Sequence, residues 1–241
     1  MIKTAYYRSY NYQTVDERKA KADQAIKRLK KKNPDIEPVI IEGRKLAKNW
    51  WGKSWNKNLE SYADFSNRIG RGRSYVRNRA VLDLKIYKGT IDALVQGSRK
   101  KPYDVTIEIS TLSRDKWEQI TTLCNNRVPS METLIHGKFP VELKELFTDK
   151  KFGLFPSPDE ITFECSCPDW AYMCKHVAAV LYGIGSRLDN NPLLFFELRG
   201  VDGKALIKKT MDDKLKSMLK NASKKSHREI DEKDLSDIFG L

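Results

Sequence analysis

The chain has 241 residues, 40% of them hydrophobic and 10% aromatic, with a formal net charge of +13. These are values for a folded protein of one large or two small domains, and they exclude a disordered chain. No apolar run approaches the roughly 18 residues of a membrane span, and the opening stretch MIKTAYYRSYNYQTVDERK lacks the apolar core of a secretory signal.

Only four cysteines are present, three of them clustered and Cys124 alone. That is no disulfide framework, so a cytoplasmic location is expected, without a membrane partner. The charge is uneven. Residues 1–101 carry 25 Lys/Arg against 10 Asp/Glu, whereas residues 102–241 carry 20 against 22. A positive field confined to one half points to a polyanion partner for that half.

The predicted elements follow in chain order. Residues 15–32, VDERKAKADQAIKRLKKK, are helix formers with few apolar positions, as in a solvated helix or basic arm; NPDIEP then breaks the pattern. From Arg44, RKLAKNWWGKSWNKNLESYADF has helical spacing. Trp51, Trp55, Leu59 and Tyr62 share one face and are candidate core, while Leu46 and Trp50 lie off it. Residues 65–82 hold no acid, and the bland alternative to a binding stretch there is a solvated loop that aids solubility.

Leu82, Leu84 and Ile86 then alternate with polar neighbours, and IDALV and YDVTIEI follow. Three strands of an antiparallel meander or small barrel result. A helical connector follows, with a cap at Ser113 and Pro140 at a first helical position. FGLFPSPDE is a loop and ITFEC a short strand. After the cysteine cluster, VAAVLYGIGSRL is a helix whose apolar stripe is Val177, Val180, Leu181, Ile184 and Leu188. The C-terminal region reads as an amphipathic helix, ALIKKTMDDKLKSML, and a polar tail ending in Leu235, Ile238, Phe239 and Leu241.

The cluster CSCPDWAYMCKH spaces Cys165, Cys167, Cys174 and His176 as C-x-C, six residues, C-x-H. Cys165 and Cys167 share a face of an extended segment. On a regular helix Cys174 and His176 would stand about 200° apart. Cys174 must therefore precede the helix, with His176 in its first turn. Three thiolates and one imidazole fill a tetrahedral zinc shell and leave no position for water or substrate, so one structural Zn2+ is expected. Lys175 and the helix N-terminus offset the shell's net negative charge. A disulfide strands the third cysteine. A Cys174–His176 nucleophilic pair leaves Cys165 and Cys167 unexplained. An iron–sulfur cluster is the remaining alternative.

The spacing resembles the SWIM zinc finger, whose four ligands match Cys165, Cys167, Cys174 and His176. WWGKSW, RGRSYVRN, VQGSR, GLFPSPDEI and CPDW with CKHVAAVLYG extend the likeness, over roughly Lys45 to Leu206, to a group of bacterial SWIM-containing proteins. The resemblance implies a ββα zinc module that binds DNA or proteins, in a group with members found alongside Swi/Snf-type DNA translocases.

The nucleic-acid candidates come from the residues themselves. Arg68, Arg71, Arg73, Arg77 and Arg79 fall within twelve positions, with Gly70 and Gly72 for close backbone approach and Tyr75 as a stacking face. Arg99, Lys100 and Lys101 form a second cluster between two strands, so one sheet face is expected to be continuously positive.

Catalytic motifs are missing. There is no G-x-x-x-x-G-K-[ST] and no H-E-x-x-H. His227 and Glu229 have deaminase spacing without the matching P-C-x-x-C. Asp83 and Lys85 are explained by strand alternation, and Cys124 and His136 read as structural.

The expected fold is thus α+β: a basic arm (1–43), a helix and β-sheet domain (44–112), a helical connector (113–159), a ββα zinc module (160–188) and C-terminal helices (189–241). The expected function is that of a non-enzymatic, zinc-binding accessory protein that touches nucleic acid, DNA before RNA, beside a translocase-like partner. The alternative is a protein–protein adaptor using the zinc module and C-terminal tail.

Overall fold

The computed structural model describes residues 14–61, 66–124, 131–138 and 140–222. Tyr62, His227 and the apolar end of the tail lie outside them. Helix α1 (Val15–Lys32) begins on a capping box, in which the Thr14 hydroxyl accepts from the Glu17 N–H and the Glu17 carboxylate accepts from the Thr14 N–H. It is no free arm. Ala22, Ala25 and Ile26, at i, i+3 and i+4, are buried against Ile36 and Leu82. Two of the three are alanines, which is why the apolar stripe is faint in the sequence.

Helix α2 (Trp50–Ser61) starts later than the periodicity suggests, because the Lys48 and Asn49 amides donate to the Asp189 carboxylate. Trp51 and Trp55 are fully buried. Their indole N–H groups donate to the Leu134 and Leu181 carbonyls at 2.7 and 2.8 Å, so neither ring leaves a polar atom stranded. Trp50, off that face, is half-buried against Phe147 and Phe155.

The acid-free arginine stretch is no solvated loop but a helix, α3 (Ser66–Arg77). Its apolar face is only Ile69 and Val76, with Gly72 between them. Gly72 admits no ligand. A Cβ there would stand 2.6 Å from the Ala178 Cβ, so its bareness allows close packing on another helix. Arg79 closes α3 in the left-handed region at φ 59. The amides of Arg79 and Ala80 bond back to the Val76 and Tyr75 carbonyls, the pattern of a Schellman stop.

Strands β1 (Val81–Tyr87), β2 (Thr90–Val95) and β3 (Tyr103–Ile109) form the expected meander. The connector is α4 (Arg114–Leu123), α5 (Met131–His136) and α6 (Val141–Thr148). The Ser113 hydroxyl caps α4, while Pro140 stands at the N-cap of α6, one position before its predicted place. A 3-10 turn at Pro158–Glu160 leads into β4 (Ile161–Cys165); α7 (Lys175–Asn190), α8 (Leu193–Leu198) and α9 (Gly203–Ala222) complete the described chain.

The sheet is open, in the order β1-β2-β3-β4, and every pairing is antiparallel. It is a meander, not a barrel. Nor does it end where the basic region does: β4 of the zinc module is its fourth strand. Residues 160–188 supply one strand, not the two of a ββα unit, and β3 is that strand's partner. Regions 44–112 and 160–188 therefore share one sheet. Ile91, Ala93, Val95, Val105, Ile107 and Ile109 face inward onto α7, which is buried on nearly every side and also packs on α2 and α3.

Buried Arg199, at the end of α8, donates to the Ser110 carbonyl and to Glu160 at 2.8 Å, tying that corner to β3 and β4. Burial works against the Glu160 charge. The Arg199 hydrogen bond and charge, with the Ser157 amide, nevertheless hold its carboxyl below the ordinary value.

Candidate metal centre and its basic surround

The ligand set forms as the spacing requires. Cys165 ends β4, and Cys174 is the N-cap of α7 with extended backbone at φ −76 and ψ 171, which frees it from the helical 200° separation. His176 stands in the first turn. The four ligand atoms lie within 4.8 Å of one another, and none of the cysteines is in a disulfide. His176 Nδ1 is 3.9 Å from Cys165 Sγ and 3.8 Å from Cys174 Sγ. Ordinary zinc bond lengths in a tetrahedron give an S···N edge of about 3.6 Å. The cluster fits a single structural zinc ion.

A hydrogen bond to Cys174, then burial, push the Cys165 thiol up, while the same hydrogen bond draws Cys174 down to about 3. Zinc takes both as thiolates, so its binding releases a proton.

His176 is 1% exposed and enclosed by parts of the chain far away in sequence. The Tyr103 ring lies 4.5 Å from its ring and the Tyr75 ring 5.4 Å, edge-on. Nε2 finds no hydrogen-bond partner among the described residues. Beside it stands Gly97, where a Cβ would come 2.3 Å from the Tyr103 ring and 3.1 Å from Nε2. The sequence reading offers Tyr75 to a ligand as a stacking face. The structure turns it inward onto the metal ligand, and burial raises its pKa.

The five arginines of α3 and its stop are placed unequally. Arg68 pairs with Asp169 in the zinc loop. Arg73 bonds Glu60 at 2.6 Å and the Tyr182 hydroxyl at 2.8 Å, and the Glu60 hydrogen bond raises its pKa. Arg79 holds both carboxylate oxygens of Asp23, at 3.0 and 2.9 Å. Arg77 is exposed and donates to the Arg44 carbonyl. Arg71 is exposed. Three of the five thus bind acids of their own chain.

Arg99, Lys100 and Lys101 are exposed, with the Arg99 guanidinium 6.0 Å over the Tyr103 ring. Lys21 of α1 donates to the Gly97 and Ser98 carbonyls of the same loop at 3.3 and 3.2 Å. Arg18 and Arg71 both act electrostatically on Tyr75. Positive side chains from α1, α3 and the β2–β3 loop therefore meet beside His176. No face of the sheet is positive: the outer face presents Asp92, Asp104, Glu108 and Glu164, all exposed.

Arg18, Lys21 and Gly97 were not legible as site residues, since only the fold brings α1 beside the β2–β3 loop. Trp170, 92% exposed in the zinc loop, was legible as an aromatic between ligands. Asp83 accepts the Glu37 amide at 2.7 Å, a structural use. Cys124 is buried at the end of α4. No helix among the described residues is long and apolar enough to cross a membrane.

Residues 159–183 match the SWIM zinc finger family. The uncharacterized protein Rv2102 of Mycobacterium tuberculosis (strain ATCC 25618 / H37Rv) is 32% identical over 163 residues, covering 67% of this chain and 58% of that one. The chain therefore matches little more than half of that relative's length. No solved structure matches it.

Proposed function

From the premise that residues 159–183 are a SWIM zinc finger, we propose that the chain is a non-enzymatic nucleic-acid-binding accessory protein. The zinc holds its shape, and the surface beside His176 touches the polyanion. One observation carries this reading: Arg71, Arg99, Lys100 and Lys101 gather with Lys21 at one end of the fold, while the sheet's outer face is acidic. The field is thus directional, which suits a phosphate backbone better than a merely soluble surface. The likeness to SWIM proteins that accompany Swi/Snf-type translocases supports DNA before RNA and a translocase-like partner.

Anisotropy titrations of labelled DNA and RNA between about 50 and 200 mM salt test this. Steeply salt-dependent binding is expected. Replacing Arg71, Arg99, Lys100 and Lys101 with alanine should lower the slope by about three to four. Absence of binding at low salt overturns the reading.

The adaptor reading has its own observation. Leu215, Met218 and Leu219 stand at i, i+3 and i+4 on α9, each more than half exposed. In that case replacing them with serine abolishes capture of a partner protein and leaves nucleic-acid affinity unchanged.

A further inference from the structure

We propose that Trp170 is a stacking platform for an unpaired base, which makes single-stranded nucleic acid the ligand of this surface. The inference rests on the nucleic-acid reading above and adds strandedness to it.

Trp170 is 92% exposed, and its loop is held on both sides of it. Asp169 pairs with Arg68 and accepts from the Ala171 amide, and the Tyr172 hydroxyl donates to the Ile161 carbonyl at 2.9 Å while its ring lies 5.1 Å from Phe163. The zinc ligands Cys167 and Cys174 close the loop at its two ends. An indole held out on an anchored loop keeps its position without a partner, so binding costs little ordering.

The adjoining acid carries no uncompensated charge. Arg68 neutralises Asp169, the acid next to Trp170. Arg68, Arg71 and Tyr75 stand at i, i+3 and i+7 on α3 and so share one face. That face runs about 10 Å from the zinc loop toward Tyr103 and Arg99. The strip therefore begins at Trp170 and the neutralised Arg68–Asp169 pair and passes to the exposed cations Arg71 and Arg99. An indole with the exposed guanidiniums of Arg71 and Arg99 further along the strip suits a single strand, a base on the ring and phosphates on the cations. A duplex hides its base faces inside the stack, so a Trp face of this kind has nothing to lie on there.

Trp51 and Trp55 are buried and Trp50 and Trp117 half-buried, so Trp170 dominates the solvent-quenchable fluorescence. The experiment titrates zinc-loaded full chain with a thymidine oligonucleotide of about 15 nucleotides, the uridine equivalent and a duplex of the same length. Fluorescence and anisotropy are both read, for wild type, W170F and W170A. We expect quenching by the single strands, a loss of single-strand affinity of about tenfold or more in W170A, substantial retention in W170F, and less than a twofold change for the duplex. Unchanged zinc content in W170A shows that the loop is intact.

Equal affinity of wild type and W170A for single strands overturns the proposal while leaving the nucleic-acid reading standing, as does an equal loss for strand and duplex. No binding of any nucleic acid by wild type overturns both. Loss in W170A of a protein partner, with oligonucleotide affinity intact, assigns Trp170 to protein recognition instead.

Discussion

The zinc ligands and the arginines occupy neighbouring parts of one fold, but they were assembled in different ways. Cys165, Cys167, Cys174 and His176 come from one stretch of twelve residues, and the turn between β4 and α7 suffices to bring their donor atoms within 4.8 Å. The cationic surface draws on α1, α3 and the β2–β3 loop, and part of its apparent charge is neutralised by Asp169, Glu60 and Asp23. A ligand set is defined by spacing because coordination chemistry is short-ranged and local. A charged surface is defined by what remains after internal pairing, and pairing is a tertiary property.

The largest test of that contrast removes the metal. Cys174→Ser, or chelation, should release about one zinc per chain. Because β4 belongs to the sheet and α7 is its main cover, the loss should reach beyond the finger and lower the Tm by about 10 °C or more, read by circular dichroism alongside metal analysis. A finger that melts alone, leaving the remaining ellipticity unaltered, would separate the two regions again.

Next in size is the Glu160–Arg199 contact between the turn that leads into β4 and the residue that ends α8. Glu160→Ala leaves a fully buried guanidinium with only the Ser110 carbonyl and should cost about 2–4 kcal/mol in denaturant unfolding, below the usual figure for a buried pair because Glu160 is 24% exposed. The sign with pH follows from the depressed folded-state value. The contribution is complete above the ordinary glutamate pKa, 4.5, and is lost as pH falls through the lower folded value. Glu160→Gln should flatten that acid limb.

Gly72→Val probes the α3–α7 approach. Its side chain meets Ala178, backbone included, so the helices must part at about 1–3 kcal/mol. Since Arg68 and Arg71 ride on α3, the salt slope of nucleic-acid binding should change as well.

The smallest effects distinguish one arginine from another. Arg79→Ala removes a pair exposed by more than a third on both sides and should cost no more than about 1 kcal/mol, with no change in salt slope. Arg71→Ala should leave stability unchanged and lower that slope by about one. If Arg79 altered the slope and Arg71 did not, the division between paired and available cations would be reversed.

Much of the molecule was legible locally. The period-two alternation held in β2 and β3 because one face of that sheet is core, whereas in β1 a bulge between Val81 and Asp83 sends Leu82 to the α1 cluster and leaves Leu84 in the main core; the Ser113 cap held because a hydroxyl before a helix satisfies an otherwise orphaned amide. Two local readings failed for definable reasons. Residues 66–77 showed no helical stripe because two glycines and seven basic or polar positions hid a face made only of Ile69, Gly72 and Val76; Gly72 is there for Ala178, a residue more than a hundred positions away. Residues 15–32 looked like an arm because alanine contributes little to an apolar pattern yet packs well.

By itself the sequence determined the zinc ligands, the meander and the helix that covers it, since each depends on contacts between residues close in the chain or on strict periodicity. The tertiary structure alone decided that the finger's strand completes the sheet, that Tyr75 and Tyr103 enclose His176, and which cations are left for a partner. Those outcomes depend on which distant side chains arrive at the same place, and a linear order of residues does not encode distance through space.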